Sequence, residues 1–152
     1  MPILAELHHC IGCTACSAAC PRDCITMEPD ADGFLHPVVD GAICVGCGMC
    51  EKNCPSIHPP LLKHTPAAYA VKSVDEVSRL ASTSGGVFIE LSREVLMSGG
   101  AVFGAAYDEH FRVVHICAEN ETDLNRLRGA KYSQSNLDGI FREVKQRLER
   151  GQ

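Results

Sequence analysis

Hydrophobic and polar positions change rhythm along this chain. Over Ile25-Thr-Met-Glu, Pro29-Asp-Ala-Asp-Gly33 and Phe34-Leu-His-Pro-Val-Val-Asp40 the pattern reads strand, turn, strand. Ala67-Ala-Tyr-Ala-Val-Lys72 predicts another strand. Ser73-x-x-Glu76 is a capping-box signature for a short helix to about Ala81. Ser84-Gly85-Gly86 opens a longer helix to about Met97, with Val87, Phe88, Leu91 and Val95 on one face, and Gly99-Gly100 ends it. Strands follow over Ala101–Tyr107 and Arg112–Ala118, joined through Asp108-Glu-His110. Asn120 caps a helix that stops at Gly129. Ser135-x-x-Asp138 opens a last helix carrying Leu137, Ile140, Phe141, Val144 and Leu148.

Cysteine usage divides these elements. Eight of the ten cysteines form one pattern written twice, Cys10-Ile-Gly-Cys13-Thr-Ala-Cys16-Ser-Ala-Ala-Cys20-Pro21 and Cys44-Val-Gly-Cys47-Gly-Met-Cys50-Glu-Lys-Asn-Cys54-Pro55. The offset of 34 residues holds for all four pairs, so the unit is an internal duplication. Only Cys117 remains after Cys54. Residues 1–58 form one module with a small apolar core, stabilised by metal in place of burial. Residues 59–66 form a stiff linker, with Pro59, Pro60 and Pro66 around Leu61-Leu-Lys-His-Thr. Residues 67–152 form a partial mixed α/β domain. The fold class is α+β, a two-cluster bacterial ferredoxin-like module followed by that partial domain. Three short strands are few for the helices they must cover, and the last helix runs to a Gly151 stop that ordinarily leads into another strand. The expectation is the front part of a longer protein.

Each cysteine run reads C-x2-C-x2-C-x3-C-P, the run of two-cluster bacterial ferredoxins, in which the fourth Cys of each copy ligates the other cluster. That assigns Cys10, Cys13, Cys16 and Cys54 to one [4Fe-4S] cluster and Cys44, Cys47, Cys50 and Cys20 to a second. A tight loop with two-residue gaps points three sulfurs at one centre. A short helix after Cys16 or Cys50 carries the fourth toward the neighbouring cluster, and Pro21 or Pro55 stops it. Gly12 and Gly46 let backbone N–H groups approach the cluster sulfurs. Structural zinc fits two runs of four poorly. Disulfides need an oxidising compartment, and Met1–His9 has no secretory pattern. Cys24 reads as a small hydrophobe beside the cluster, with spare ligand as the alternative, and Cys117 as a core thiol. His8 and His9 adjoin Cys10 but find no vacancy in the four-Cys sets. His36, His58, His64, His110 and His115 read as loop or strand residues.

The formal charge is −5. Eight thiolates and two oxidised cores bring the loaded protein to about −9. Such a surface suits a basic face on a redox partner and disfavours nucleic acid. No apolar run approaches the length of a membrane span. Free thiols and cluster chemistry point to a reducing cytoplasm.

The twin motif, Ser82-Thr-Ser-Gly-Gly-Val-Phe88, Gly99-Gly-Ala-Val-Phe-Gly-Ala-Ala-Tyr-Asp108 and Leu127-Arg-Gly-Ala-Lys-Tyr-Ser-Gln-Ser135 together resemble the family of coenzyme F420 hydrogenase/dehydrogenase beta subunits. The resemblance covers nearly the whole chain. It implies clusters coupled to a flavin, FAD or FMN, and exchange of reducing equivalents with F420 or a similar acceptor. It also implies partner redox proteins or hydrogenase/dehydrogenase subunits. Family members continue well past residue 152, so this chain alone is expected to lack a complete active site. A stand-alone ferredoxin-type carrier with a docking domain, and a non-functional gene fragment, are the rival readings.

For the flavin, the residues single out two segments. Of the helix starts at Ser73, Ser84 and Ser135, the first and last carry an acidic N3 residue, Glu76 and Asp138. The start at Ser84, Gly85 and Gly86 has none until Glu90, which leaves its N–H groups for an anion such as a flavin phosphate. The alternative is a capping serine and turning glycines. Lys131, Tyr132 and Ser135 lie in a polar segment where Lys131 meets a phosphate or polarises the flavin ring. The alternative there is a solvated loop with Ser135 as a cap. Arg126, Arg128 and Glu149-Arg150 read as solvated helix faces.

Overall fold

The computed structural model describes residues 2–61, 67–137 and 139–152. Pro66 and His64 of the linker, and Asp138 as a helix-opening acid, lie outside the described residues. The chain groups into two compact units, Met1–Thr65 with Leu137–Arg142 and Pro66–Asn136 with Glu143–Gln152.

In the first unit, helices α1 (Ala15–Ala18) and α2 (Met49–Lys52) are the two copies of one short element. Strands β1 (Ile25–Pro29) and β2 (Leu35–Val39) pair antiparallel, with Ile25 opposite Val39 and Met27 opposite Pro37. The turn between them is built on Asp30. Its Oδ1 accepts from the N–H groups of Asp32 and Phe34, both at 2.9 Å. Gly33 (φ +86°) takes the left-handed residue this turn needs. The core is Cys16, Cys24, Ile25 and Cys50, with Leu4, Cys20, Met27, Val39 and Cys44 packed against it. Thiols supply much of this interior, and aliphatic side chains are few.

The second unit contains α3 (Glu76–Leu80), α4 (Val87–Met97), β3 (Val102–Tyr107), β4 (Val113–Ala118) and α5 (Glu121–Leu127). Helix α6 (Ile140–Glu149) is divided between the two units. Strands β3 and β4 pair antiparallel from Val102 opposite Ala118 to Tyr107 opposite Val113. Their turn repeats the Asp30 device, with Asp108 Oδ1 accepting from the N–H groups of His110 and Arg112 at 2.8 and 2.9 Å. Here the left-handed position is Phe111 (φ +58°) in place of glycine. The core is Ile89, Ala106, Ala118, Leu124 and Leu127, with Leu96, Val102 and Ile116 beside it. Gly104 lets α5 come close, since a Cβ there would stand 3.2 Å from Leu127 Cδ1.

Several expectations for this unit need correction. Residues 67–72 form no strand: every side chain is exposed and no ladder partner is present among the described residues. Beside β4 lies instead a single parallel bridge, Val114 with Asn136. Ser73 does not cap α3. Asp75 does, accepting from the N–H groups of Val77 and Ser78, while Ser73 donates to Glu90 at 2.8 Å. Gly86, left-handed at φ +75°, takes the N-cap position of α4, not Ser84. The buried face of α4 carries Ile89, Ser92 and Leu96, whereas Phe88, Leu91 and Val95 are 44 %, 65 % and 40 % exposed. The last helix begins at Ile140 after left-handed Gly139, and Ser135 is not its cap. As expected, Asn120 caps α5, accepting from Asp123 N–H at 3.0 Å, and Gly99 is the left-handed residue that ends α4.

Candidate iron–sulfur centre

Each cysteine loop is bent by two left-handed residues flanking its second cysteine. These are Gly12 (φ +62°) and Thr14 (φ +59°) around Cys13, and Gly46 (φ +65°) and Gly48 (φ +72°) around Cys47. Left-handed kinks of this kind curl a backbone into a concavity whose N–H groups hold anions. Short helices follow at once. They start one residue before Cys16 and Cys50, slightly earlier than the spacing suggested, and end before Pro21 and Pro55. A final turn delivers the fourth cysteine: Cys20 N–H donates to the Ser17 carbonyl at 3.1 Å and Cys54 N–H to the Glu51 carbonyl at 3.0 Å.

Cys20, Cys44, Cys47 and Cys50 line one cavity, together with Cys24, Gly46 and Gly48. A Cβ added at Gly46 or Gly48 would meet nothing within 4 Å, so both glycines leave that space open. In the other set, Cys10 and Cys13 lie near enough to influence the Cys16 thiol electrostatically. The segment after Cys54 returns to that loop through the Ser56 hydroxyl, which donates to the His9 carbonyl at 2.8 Å. Burial pushes the Cys16 thiol up to about 11 and raises that of Cys50. Cys20 runs the other way. Burial opposes the change, yet the backbone N–H groups of Cys24 and Arg22 and the Cys24 side chain hold it below the usual thiol value.

These residues fit a cubane cluster. Four soft sulfurs, those of Cys20, Cys44, Cys47 and Cys50, line one concavity, and Cys10, Cys13 and Cys16 share a loop of the same shape. The Thr14 hydroxyl is buried in the first loop with no hydrogen-bond partner among the described residues. Cys24, 5 % exposed, is a neighbour of Cys20: its Sγ lies 3.4 Å from Cys20 Sγ. The Cys20 contact, then burial, push its thiol up to about 12. Glu6, His8 and His9 converge at the surface, all three exposed, just before Cys10 in the chain.

The segments singled out for a flavin are not all brought together. Ser84, Gly85 and Gly86 line a hollow with Val71, Phe88, Leu127, Arg128 and Gly129. Arg128 is therefore no solvated residue. It is half-buried, its Nη1 donates to the Ser78 carbonyl at 3.3 Å, and its Nε is buried without a partner among the described residues. The Arg-Gly step at the end of α5 was the sequence signal, hidden because periodicity alone placed Arg128 on an outer face. Lys131 does not face this hollow. Its Nζ donates to the carbonyls of Arg126, Leu127, Arg128 and Gly129 at 2.7–3.2 Å, closing the end of α5. Ser135 Oγ hydrogen-bonds His115 Nδ1 at 2.8 Å, and Tyr132 is exposed.

Residues 9–57 match the family described as the 4Fe-4S dicluster domain. Across 98 % of its length the chain is 26 % identical to an F420H2 dehydrogenase component of Methanosarcina mazei, and across 93 % it is 24 % identical to the coenzyme F420-dependent sulfite reductase of Methanocaldococcus jannaschii. It spans 46 % and 22 % of those two proteins. The methylamine utilization ferredoxin-type protein MauM of Paracoccus denitrificans is 45 % identical over 49 residues, which is 29 % of this chain and 22 % of that protein. Among the described residues no helix is long and apolar enough to cross a membrane. The chain thus carries an iron–sulfur electron-transfer domain: residues 9–57 match the 4Fe-4S dicluster domain, in a chain similar over nearly its whole length to F420-linked oxidoreductase proteins.

Proposed function

We propose that this chain carries electrons for a flavin-containing oxidoreductase in a reducing cytoplasm, with Cys10, Cys13, Cys16 and Cys54 holding one cluster and Cys20, Cys44, Cys47 and Cys50 the other. The observation that carries the reading is the single cavity lined by Cys20 with Cys44, Cys47 and Cys50. It supports pairing the fourth cysteine of the first copy with the first three of the second. Bound clusters supply one-electron exchange. The residues of this chain ligate them, exclude water, and turn N–H groups toward their sulfurs.

In this reading the hollow at Ser84, Gly85 and Gly86 takes the flavin phosphate, with the guanidinium of Arg128 as its counter-charge. Arg128 replaces Lys131 in that role, because Lys131 is committed to the end of α5. Exchange with F420, or a similar acceptor, belongs to an assembly that the chain joins through a redox partner or hydrogenase/dehydrogenase subunits. A plain ferredoxin-type carrier without flavin is the second reading, favoured by the internal bonds of Lys131 and Ser135. Anaerobic reconstitution separates them. About eight irons per chain with flavin bands after cluster removal supports the first, and eight irons without flavin the second. Markedly fewer irons would refute the ligand assignment.

A further inference from the structure

The two cysteine loops are copies, but they differ at the residue that follows their second cysteine. In the second loop it is Gly48; in the first it is Thr14, thirty-four positions earlier. Both are left-handed, at φ +72° and +59°. Glycine adopts that conformation freely, whereas a β-branched side chain does so under strain. Thr14 is also buried, 6 % exposed, and its Oγ1 has no partner among the described residues. Threonine at a helix N-cap ordinarily spends its hydroxyl on a backbone N–H of the first turn, but at α1 no such bond is made. One position therefore carries both a strained backbone and an unpaired buried donor. Either alone is a cost, and glycine would remove both. Penalties that a structure retains in this way concentrate at functional sites.

What lies beside Thr14 says what the hydroxyl is for. Its neighbours in the loop are Cys13 and Cys16, and the group that the loop is shaped to hold presents sulfur acceptors. We propose that the Thr14 hydroxyl donates a hydrogen bond to a sulfur of the cluster held by the first loop, and so raises that cluster's reduction potential. The proposal rests on the ligand assignment given above. A reduced cluster carries one more negative charge, so a donor to its sulfur stabilises the reduced form more than the oxidised one. Gly48 offers the other cluster no such group, and Cys24 offers it only a weak S–H donor. The device is thus specific to one of the two loops.

The test uses the full chain, reconstituted anaerobically, with Thr14→Gly, Thr14→Val and Thr14→Ser. Potentiometric titration followed by electron paramagnetic resonance reads the two clusters. In the glycine and valine variants one midpoint potential falls and the other stays. At fixed solution potential the reduced-to-oxidised ratio of that cluster drops severalfold, up to about tenfold, which is ~59 mV for a one-electron couple. The serine variant keeps the hydroxyl and the wild-type potential. The glycine variant melts no lower than wild type, which separates the effect from unfolding. In heavy water the iron–sulfur stretching bands shift in wild type and in the serine variant, and shift less in the glycine variant. Unmoved potentials in both the glycine and valine variants overturn the proposal, as does a serine variant that shifts as far as glycine. Iron loss common to all three variants, with eight irons in wild type, assigns Thr14 a packing role and also overturns it. Fewer irons in wild type itself would instead be the failure of the ligand assignment.

Discussion

The first unit buries Cys16, Cys24 and Cys50 around Ile25, and the second buries Ile89, Leu124 and Leu127 against Ala106 and Ala118. Both contain a two-stranded hairpin and short helices, yet their interiors are of different chemistry. Thiols packed beside one another contribute modestly as apolar groups; what they offer is a donor set. Leucine and isoleucine against two fully covered alanines form an ordinary close-packed interface. The difference teaches that the first unit is expected to need its metal for stability, while the second draws chiefly on packed hydrocarbon. A small domain lacking a sizeable core ordinarily takes its stability from metal or disulfides.

The largest effect expected from that contrast is on metal removal. Chelating iron from the loaded chain should abolish amide protection in β1 and β2 while leaving β3, β4 and α5 protected, as read by hydrogen exchange. Equal loss in both units would break the comparison. Leu124→Ala tests the other side. Leu124 is completely buried, so truncation should cost about 2–5 kcal/mol in the second unit and leave cluster absorbance unchanged.

Smaller effects sharpen the picture. Asp75→Ala removes the cap of α3 and should cost about 0.5–2 kcal/mol, read as a fall in the second unit's melting temperature. Asp75 also gives that unit a pH dependence. Its bond with the Ser78 side chain, followed by backbone N–H groups and Arg93, holds its carboxyl below the ordinary value of 3.8. The stabilisation is therefore present above that value and is lost as pH falls through the lowered one. Melting followed from pH 6 to pH 3 should decline in wild type more than in Asp75→Ala. The smallest effect is at the matched turns. Gly33→Ala should destabilise β1–β2 by about 1 kcal/mol, and Phe111→Gly should stabilise β3–β4 by less than about 1 kcal/mol, because relief of strain outweighs added chain entropy. Guanidinium titration of each variant reads both signs.

The hairpins and the cysteine loops were legible because their signals are local. Turn residues mark Asp30–Phe34 and Asp108–Arg112, and the motif sets its own spacing. What was not legible depends on neighbours. Helix α4 carries two apolar stripes, one through Phe88, Leu91 and Val95 and one through Ile89 and Leu96, and periodicity does not say which will meet the sheet. The run at 67–72 has strand composition, but a strand also needs a partner. Neither Arg128 nor Lys131 stands where expected, because α5 ends at Leu127. That leaves its last carbonyls for Lys131 and brings Arg128 into the hollow beside Gly85.

The cavity shared by Cys20 and the second loop also bears on how the chain is made. Thirty positions separate Cys20 from Cys50. At about 5–20 residues per second of synthesis, Cys20 emerges from the ribosome on the order of seconds before the last wall of its cavity. During that interval Cys20 is an exposed thiol with no completed site. In the proposed ligand assignment, iron supplied early would meet a partial donor set, and the cavity is complete only once the second repeat has been made.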